Sequence, residues 1–483
     1  MDYSQFFAMK QEIGLMVVFL LVFIFDTFMP RRAQGAVGVL SCVLFGIFTA
    51  WGFCPCLLDG VSDAFAGMYE AGPVVVNIKN ILNVGVLIVM IQALRWARQD
   101  MVVIRRGEFY ELLMLTLFGM YLMISSRHFL LFVIGLETAS LPLAAMVAFD
   151  KHRYESHEAA VKYVLTAVFS SAIFLMGLSF VYGLTGSLYY SNIAGALMGE
   201  GSSALLITAL AFVIAGVGFK LSLVPFHLWT ADVYQGAPTP VTSYLSVISK
   251  GSAAFAFMVI LFQVFGSVYA DAWEWMLYAL IVLTITVGNL FAIRQHNMKR
   301  FLAFSSISQA GYIMLGIMAF DGMGIAALMY YVLVYIFSNL AAFGVIGAIE
   351  NNCGKVDMAD YNGLYRTNPR LAFTMMLAMF SLAGIPPFAG FFSKFFIFTS
   401  ALSQGSVAIY VLVFIALLNT IISLYYYLLV VKAMFISEET STVATFRSAA
   451  SERIALWVCV AGILLLGIVS CFYTHLLNIT AVA

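Results

Sequence analysis

Apolar runs long enough to cross a lipid bilayer follow one another along almost the whole of this 483-residue chain, and no other feature constrains its fold as much. A hydrocarbon core of roughly 30 Å needs about 20 helical residues at 1.5 Å each, and about fourteen runs reach that length. They lie near 11–29, 33–53, 73–94, 108–125, 128–149, 158–182, 203–235, 239–265, 271–293, 301–319, 322–349, 371–402, 406–434 and 454–474. Backbone polar groups in lipid must be satisfied within the segment, so such runs imply helices. Composition agrees: 63% of residues are hydrophobic and 10% charged, far from a soluble domain. The expectation is an all-α polytopic membrane protein with about 14 transmembrane helices and no separate soluble domain. Asp2, Lys10 and Glu12 precede the first run without a small-residue cleavage site, so it reads as a retained helix rather than a signal peptide.

Basic residues orient the helices, because Lys and Arg collect on the cytoplasmic side. Loops after the odd-numbered spans 1, 3, 5, 9, 11 and 13 hold Arg31, Arg32, Arg95, Arg98, Arg105, Lys151, Arg153, Lys299, Arg300, Arg366, Arg370, Arg447 and Arg453, among others. The opposite side has only Lys10 and Arg127. Both termini are therefore expected on the outer, periplasmic side. The loop after span 7 carries no Lys or Arg and follows its neighbours.

The cysteines offer no metal motif. Cys42, Cys54, Cys56, Cys353, Cys459 and Cys471 are scattered, without a CxxC pair, so neither an Fe–S cluster nor a structural zinc is expected on this chain. No glycine-rich loop follows a strand to hold NAD or ATP.

Function is expected where charge lies inside apolar runs, since ionisable groups are costly and rare in the membrane. After the loop residues are set aside, Lys79, Lys162, Lys220, Lys250 and Lys394 remain in or at the edge of spans, and Glu137 is the acid near the middle of one. In "VGFKLSLVPFHLWTADVYQGAPTP", residues 217–240, Lys220 lies about 16 residues before the "QGAP" turn, roughly 24 Å along an ideal helix. Lys250 follows Pro238 by about 12 residues, roughly 18 Å, so both are expected near the midplane. A structural lysine neutralised by one fixed carboxylate is the plain alternative. One buried acid cannot neutralise Lys220, Lys250 and Lys394 together, however, and an unpaired lysine in low dielectric loses its preference for the charged form. Glu137 and Lys220 then form a candidate switch and the lysines candidate proton carriers.

His227 is seven residues after Lys220, on nearly the same helix face if the helix continues, and is either an interfacial histidine beside Trp229 or a relay between the lysines. Lys394 follows Gly384, Pro386, Pro387 and Gly390 in "SLAGIPPFAGFFSKFFIF", which must break its helix. Breaks inside a membrane survive where freed backbone groups are buried in protein or face water. Two broken helices five spans apart fit paired repeats with ion sites at the unwound segments. Lys79 is expected to snorkel outward and Lys162 to lie at an interface. Asp26, beside Arg31 and Arg32, reads as an interfacial anchor. The small-residue patch "TAVFSSAIFLMG" permits close helix approach, and the polar stretch "SSISQAG", 305–311, can hold water between distant lysines.

The runs "GLETASLPLAAM", "FKLSLVPFHLWTADVYQGAPTPVTSYLSVISK", "NMKRFLAFSSISQAGYIMLG" and "LAGIPPFAGFFSKFFIF" resemble those of the antiporter-like membrane subunits of respiratory complex I. The likeness extends from about residue 70 to 435. It implies a fourteen-helix fold with an N-terminal three-helix segment (1–107), two inverted five-helix repeats (108–265 and 271–434) each with a broken helix, and a C-terminal loop and span (435–483). By motif match, Glu137 takes the gating carboxylate, Lys220 its partner, Lys250 the central lysine and Lys394 the exit-side lysine. Gln309 stands where many relatives have histidine; it cannot take up a proton, so a relay there runs through water.

The function implied is proton translocation in the bacterial inner membrane, driven by quinone reduction elsewhere in the complex. No cofactor is expected on this chain, with FMN, Fe–S clusters and quinone on other subunits. Its expected partners are the other membrane subunits, the bilayer, protons and internal water, with quinone indirect and no nucleic acid. The same helices and lysines would also suit a multisubunit cation/proton antiporter or a membrane-bound hydrogenase-type complex. A scaffold with inert lysines is the remaining alternative.

Overall fold

The computed structural model describes residues 3–29, 34–54, 62–99, 106–198, 204–266, 270–437, 442–469 and 471–482; Arg31, Arg32, Arg105 and Cys56 lie outside these. Helices α1 (Lys10–Phe28), α2 (Val37–Gly52), α3 (Pro73–Trp96), α4 (Arg106–Ser125), α5 (Phe129–Val147), α6 (Tyr154–Thr185) and the short α7 (Tyr190–Leu197) come first. A two-stranded antiparallel hairpin, β1 (Ser62–Ala64) and β2 (Tyr69–Ala71), with Ser62 opposite Ala71, precedes α3. Helices α8 (Ala204–Leu221) and α9 (Leu228–Gly236) are two pieces of one interrupted span. A π-helical turn, Leu245–Ser249, joins α10 (Thr239–Tyr244) to α11 (Lys250–Ile260). There follow α12 (Ala270–Ile293), α13 (Met298–Met318), α14 (Gly322–Cys353), the short α15 (Leu364–Thr367) and a second interrupted pair, α16 (Pro369–Ala383) and α17 (Ala389–Leu402). Helices α18 (Val407–Ile436), α19 (Ala450–Ile468) and α20 (Cys471–Val482) complete the chain.

Among the described residues, 12 helices are long and apolar enough to cross a membrane, and α2, α16 and α17 are shorter apolar helices. The expected run at 454–474 is divided: α19 stops at Ile468 because Val469 adopts an extended conformation, and α20 starts at Cys471. Apolarity continues through this point, so hydropathy alone cannot see the break.

Close helix crossings rest on small residues, as they must where lipid offers no hydrophobic drive for association. Helix α4 lies against α5 at Gly119, where a Cβ would come within 2.4 Å of Ala139 N. Helix α12 lies against α13 at Gly288, where a Cβ would sit 2.7 Å from Ser308 N. Helix α6 packs on α8 and α9, and α14 packs on α16 and α17. The small-residue patch of α6 is part of that packing: Ser170 Oγ donates to Gly216 O at 2.8 Å. Helix α13 is buried along its whole length, whereas α6 and α18 turn residues such as Leu165, Phe169, Phe414 and Ile421 outward.

Both interruptions satisfy their backbone inside the protein. At 222–227, Ser222 has φ +61° and the Val224–Pro225 peptide is cis. Val224 N donates to Thr284 Oγ1 of α12 at 3.0 Å, and Trp229 Nε1 reaches back to Phe219 O at 3.2 Å. At 384–388, Gly384 closes α16 with φ +86°, a conformation that disfavours a side chain, and Ile385 N bonds to Phe380 O at 3.0 Å. Gly390 then lets α17 begin against α16, with Gly390 N donating to Ser381 Oγ at 3.2 Å.

A Cβ at Gly390 would lie 1.7 Å from the Ser381 carbonyl oxygen. Gly390→Ala is therefore expected to lower the thermal midpoint of the purified protein by the equivalent of about 1–3 kcal/mol. Gly183 of α6 has nothing within 4 Å of its added Cβ. Gly183→Ala should not lower the midpoint and, by helix propensity, should raise it by the equivalent of at most about 1 kcal/mol.

Candidate functional site

The three lysines singled out in the sequence are buried; Lys220 and Lys250 stand where regular α-helix gives way, and Lys394 reaches back from α17 to such a place. Lys220 occupies the last turn of α8, directly before the break. Its Nζ donates to Ser140 Oγ of α5 at 2.5 Å and to Tyr163 OH of α6 at 3.3 Å. Glu137, partly exposed on α5, lies one helical turn before Ser140 and is the carboxylate whose field reaches Lys220, but it makes no direct ion pair with it. Ser140 thus stands between acid and base, and its own hydroxyl donates to Leu136 O at 2.5 Å.

Lys250 follows the π-helical turn Leu245–Ser249, a local widening of the helix of the kind often found at functional positions. Its Nζ donates to Ser306 Oγ at 2.7 Å and to Ser306 O at 3.1 Å, both on α13. Lys394, on α17, points back at the end of α16, donating to Leu382 O at 3.0 Å and Ala383 O at 3.1 Å. Those carbonyls have lost their intrahelical partners because α16 stops, and the negative end of a helix dipole attracts an ammonium.

A tyrosine ring lies beside each of these ammonium groups. Lys220 Nζ is 5.8 Å from the Tyr163 ring centre, Lys250 Nζ 5.7 Å from that of Tyr234, and Lys394 Nζ 5.1 Å from that of Tyr312. Cation–π attraction of about 0.5–2 kcal/mol can hold a cation without supplying a counter-charge. Among the described residues, no carboxylate forms an ion pair with Lys220, Lys250 or Lys394. The sequence gives no sign of these tyrosines because each falls on a different helix from its lysine.

Gln309 joins the second half of this arrangement. Its Nε2 donates to Tyr427 OH at 3.2 Å and, weakly, to Leu382 O at 3.4 Å, the carbonyl that Lys394 also uses. Tyr331 OH donates to Gln309 Oε1, and Ser305 Oγ and Tyr427 OH share a hydrogen bond at 2.5 Å. The stretch 305–309 therefore contacts Lys250 through Ser306 and reaches the Lys394 region through Gln309. A cavity of ≈ 10 Å³ touches Gln309, Tyr331, Ser381 and Lys394, room for about one water.

Three expectations need correction. His227 is not on the face of α8 that carries Lys220, because α8 ends at Leu221 and His227 sits in the unwound segment, capping α9. Its Nδ1 is buried without a hydrogen-bond partner, and the nearby charge acting on it is that of Lys250. Lys79 does not snorkel: its side chain is 1% exposed and ion-paired with Glu12 at 2.5 Å, while Tyr69 OH donates to Glu12 at 2.8 Å. Lys299 is no loop residue either; buried in the first turn of α13, it pairs with Glu350 at 3.2 Å, which also receives Arg153 at 3.1 Å. Glu12, read from the sequence as a flanking residue, and Glu350 each stand near one end of an apolar run, where a carboxylate gives no sign of a buried partner. Lys162 meets the interfacial expectation, 41% exposed and paired with Glu158 and Asp232 at 2.7 Å each. Asp26 lies against Gly107 at the start of α4.

Among the described residues, no group of three or more His, Cys, Asp or Glu side chains is placed to hold a metal ion. The arrangement is instead a series of ammonium groups on neutral oxygens. Hydroxyls and amines can both donate and accept, so such a series can pass protons without covalent chemistry.

Comparison with known proteins places the chain among relatives of known name. The family profile described as NADH:quinone oxidoreductase/Mrp antiporter, TM, matches residues 126–423. NADH-quinone oxidoreductase subunit N of Phocaeicola vulgatus is 52% identical over 483 residues, covering all of both chains. The protein of the same name from Moorella thermoacetica is 43% identical over 367 residues, 76% of each chain. A chain of respiratory complex I from Thermus thermophilus with bound aureothin superposes with a TM-score of 0.79 at 32% identity, covering 95% of this chain and 97% of that one. A chain of the Mrp complex from Dietzia sp. shares the fold, with a TM-score of 0.84 at 21% identity over 100% of this chain and 97% of the other.

Removing one member of the buried Glu12–Lys79 pair strands a charge, so Lys79→Met should destabilise the protein by about 3–5 kcal/mol. Lys250→Met and Lys394→Met strand only neutral acceptors and should cost about 1–3 kcal/mol. Scanning fluorimetry of the three variants checks the order; equal losses would contradict the distinction between a fixed pair and free ammonium groups.

Proposed function

The chain belongs to the NADH:quinone oxidoreductase/Mrp antiporter membrane family, and from that premise we propose that it is the N-type, proton-translocating membrane subunit of an NADH-quinone oxidoreductase. Full-length relatives at 50–52% identity bear that name, and the 32% identity to a complex I chain agrees with it. Likeness to the Mrp complex at 21% identity concerns the fold alone, so the antiporter reading has less support. The observation that carries the mechanism is that Lys250 and Lys394 are buried on neutral oxygens and, among the described residues, have no carboxylate partner.

In this reading Glu137 gates. While it is charged, its field holds Lys220 as an ammonium across Ser140; when its charge is drawn away or neutralised, Lys220 releases a proton toward Lys250. Between these lysines the rings of Tyr163, Trp229 and Tyr234 follow one another at centroid distances of 5.3 and 6.3 Å. His227 Nδ1, Thr230 Oγ1 and the Tyr234 hydroxyl in this region are buried without hydrogen-bond partners, the kind of group that internal water satisfies. From Lys250 the proton passes by Ser306 and water near Gln309 to Lys394. Neutral Lys394 keeps two N–H donors for Leu382 O and Ala383 O and frees a lone pair for an incoming proton. Gln309 positions Tyr331 and Tyr427 and is not itself protonated.

We also read α4–α11 and α12–α18 as the two inverted repeats. Supporting this, α4 packs on α5 as α12 does on α13, and α6 packs on the first broken pair as α14 does on the second. The N-terminal segment is 1–107 and the C-terminal segment 435–483. Both termini face the periplasm, with the basic loops on the cytoplasmic side. The chain carries no redox group; FMN, Fe–S clusters and quinone belong to partner subunits of the complex.

In inverted vesicles energised with NADH, Lys220→Ala is expected to reduce dye-reported proton pumping at least about ten-fold, the scale of one lost proton-transfer group. Lys220→Arg, which cannot deprotonate, should impair pumping similarly. Unaltered pumping by both variants at normal complex abundance would remove Lys220 from the route. Gln309→His should retain pumping. Gln309→Leu, which leaves the Tyr331 hydroxyl without its acceptor and removes the amide link to Tyr427, should lose most of it; full activity of the leucine variant would exclude a role for this residue.

A further inference from the structure

We propose that the groove between the starts of α16 and α19 binds an anionic phospholipid, its phosphodiester held by Arg370, Arg447 and Arg453 and one acyl chain lying on the apolar wall below. The groove encloses ≈ 530 Å³, well within the range of small-molecule sites. Its upper wall is built: Asn368 Nδ2 donates to Ala444 O at 3.0 Å and Asn368 Oδ1 accepts Phe446 N at 3.3 Å, fastening the 442–449 segment against α16.

Three arginines from three different segments line this one groove. Arg370 is in the first turn of α16, Arg447 in the connecting segment and Arg453 in the first turn of α19. Among the described residues, no carboxylate forms an ion pair with any of them, and Arg453 Nε is buried without a hydrogen-bond partner. Glu452, the nearest acid in sequence, is engaged elsewhere, accepting Ala449 N at 2.9 Å and facing Arg95 at 3.8 Å. Two helix N-termini at the same end add positive potential.

Below the arginines the lining becomes apolar. Phe373 and Trp457 are exposed large residues, and Leu377 lies seven positions past Arg370, about 10 Å deeper along the helix. A free phosphate would satisfy the basic rim and leave that wall bare, and a soluble acidic peptide would not extend into the bilayer. A lipid with a negative headgroup matches both parts, and a tryptophan at the polar boundary suits the interfacial depth.

The test uses the intact complex in liposomes containing photoactivatable phosphatidylglycerol or photoactivatable phosphatidylcholine, with crosslinks mapped by peptide mass spectrometry. One basic side chain near an anionic surface contributes about five-fold in binding, so phosphatidylglycerol should label 367–377 and 445–460 at least about five-fold more than phosphatidylcholine. Millimolar inorganic phosphate should not reduce the labelling. Arg370→Gln/Arg447→Gln/Arg453→Gln should lower it to the phosphatidylcholine level. Should that variant fail to assemble, Arg447→Gln, on the exposed connecting segment, should still reduce labelling several-fold. Equal labelling by the two lipids, loss of labelling to phosphate, or no labelling above that of neighbouring spans would each overturn the proposal; the last would mean that another subunit covers the groove.

Discussion

Everything in the centre of this protein depends on ammonium groups meeting neutral oxygens at places where helices are interrupted or widened. A regular helix in lipid offers few spare backbone acceptors, since each carbonyl is already bonded to its own chain. Ending α16 at Ala383 releases carbonyls that Lys394 then uses. Lys220 stands at the end of α8, and Lys250 follows a π-helical turn. At Lys394 the interruption and the buried charge are thus one feature, the break supplying acceptors that the lysine occupies, whereas Lys220 and Lys250 find theirs on the neighbouring helices α5, α6 and α13.

Buried lysines in this chain fall into two kinds. Lys79 and Lys299 have fixed carboxylates in Glu12 and Glu350, pairs that tie α3 to α1 and α13 to α14. Removing one member of such a pair is expensive, so these charges are locked by structure. Lys220, Lys250 and Lys394 have hydroxyls, carbonyls and tyrosine rings instead. Their charge is supported but not fixed, the condition that a proton carrier requires. Burial alone does not distinguish the two kinds; the partner does.

The sequence made the three axial lysines legible because charge is rare in apolar runs, and Pro225, Pro386 and Gly384 made the two broken helices legible through fixed or left-handed backbone. It hid partners that come from afar: Glu12 lies 67 positions from Lys79 and Ser140 lies 80 from Lys220, distances no periodicity can bridge. The spacing of seven residues puts His227 on the face of Lys220 only along a continuous helix, and α8 stops at Leu221. The division between α19 and α20 is not legible in hydropathy, because a single serine among Ile468, Val469, Cys471 and Phe472 does not end an apolar run. Composition reports where a chain meets lipid; it says little about which polar groups find one another inside.

The most direct test gives a free lysine the fixed partner it lacks. Ser306→Asp would set a carboxylate against Lys250, whose Nζ now donates to Ser306 Oγ at 2.7 Å. If Lys250 carries protons by gaining and losing charge, the new ion pair should hold it charged, and NADH-driven proton pumping in inverted vesicles should fall sharply while the complex stays assembled. Pumping at the unaltered rate, with the aspartate variant present at normal abundance, would contradict proton carriage through Lys250.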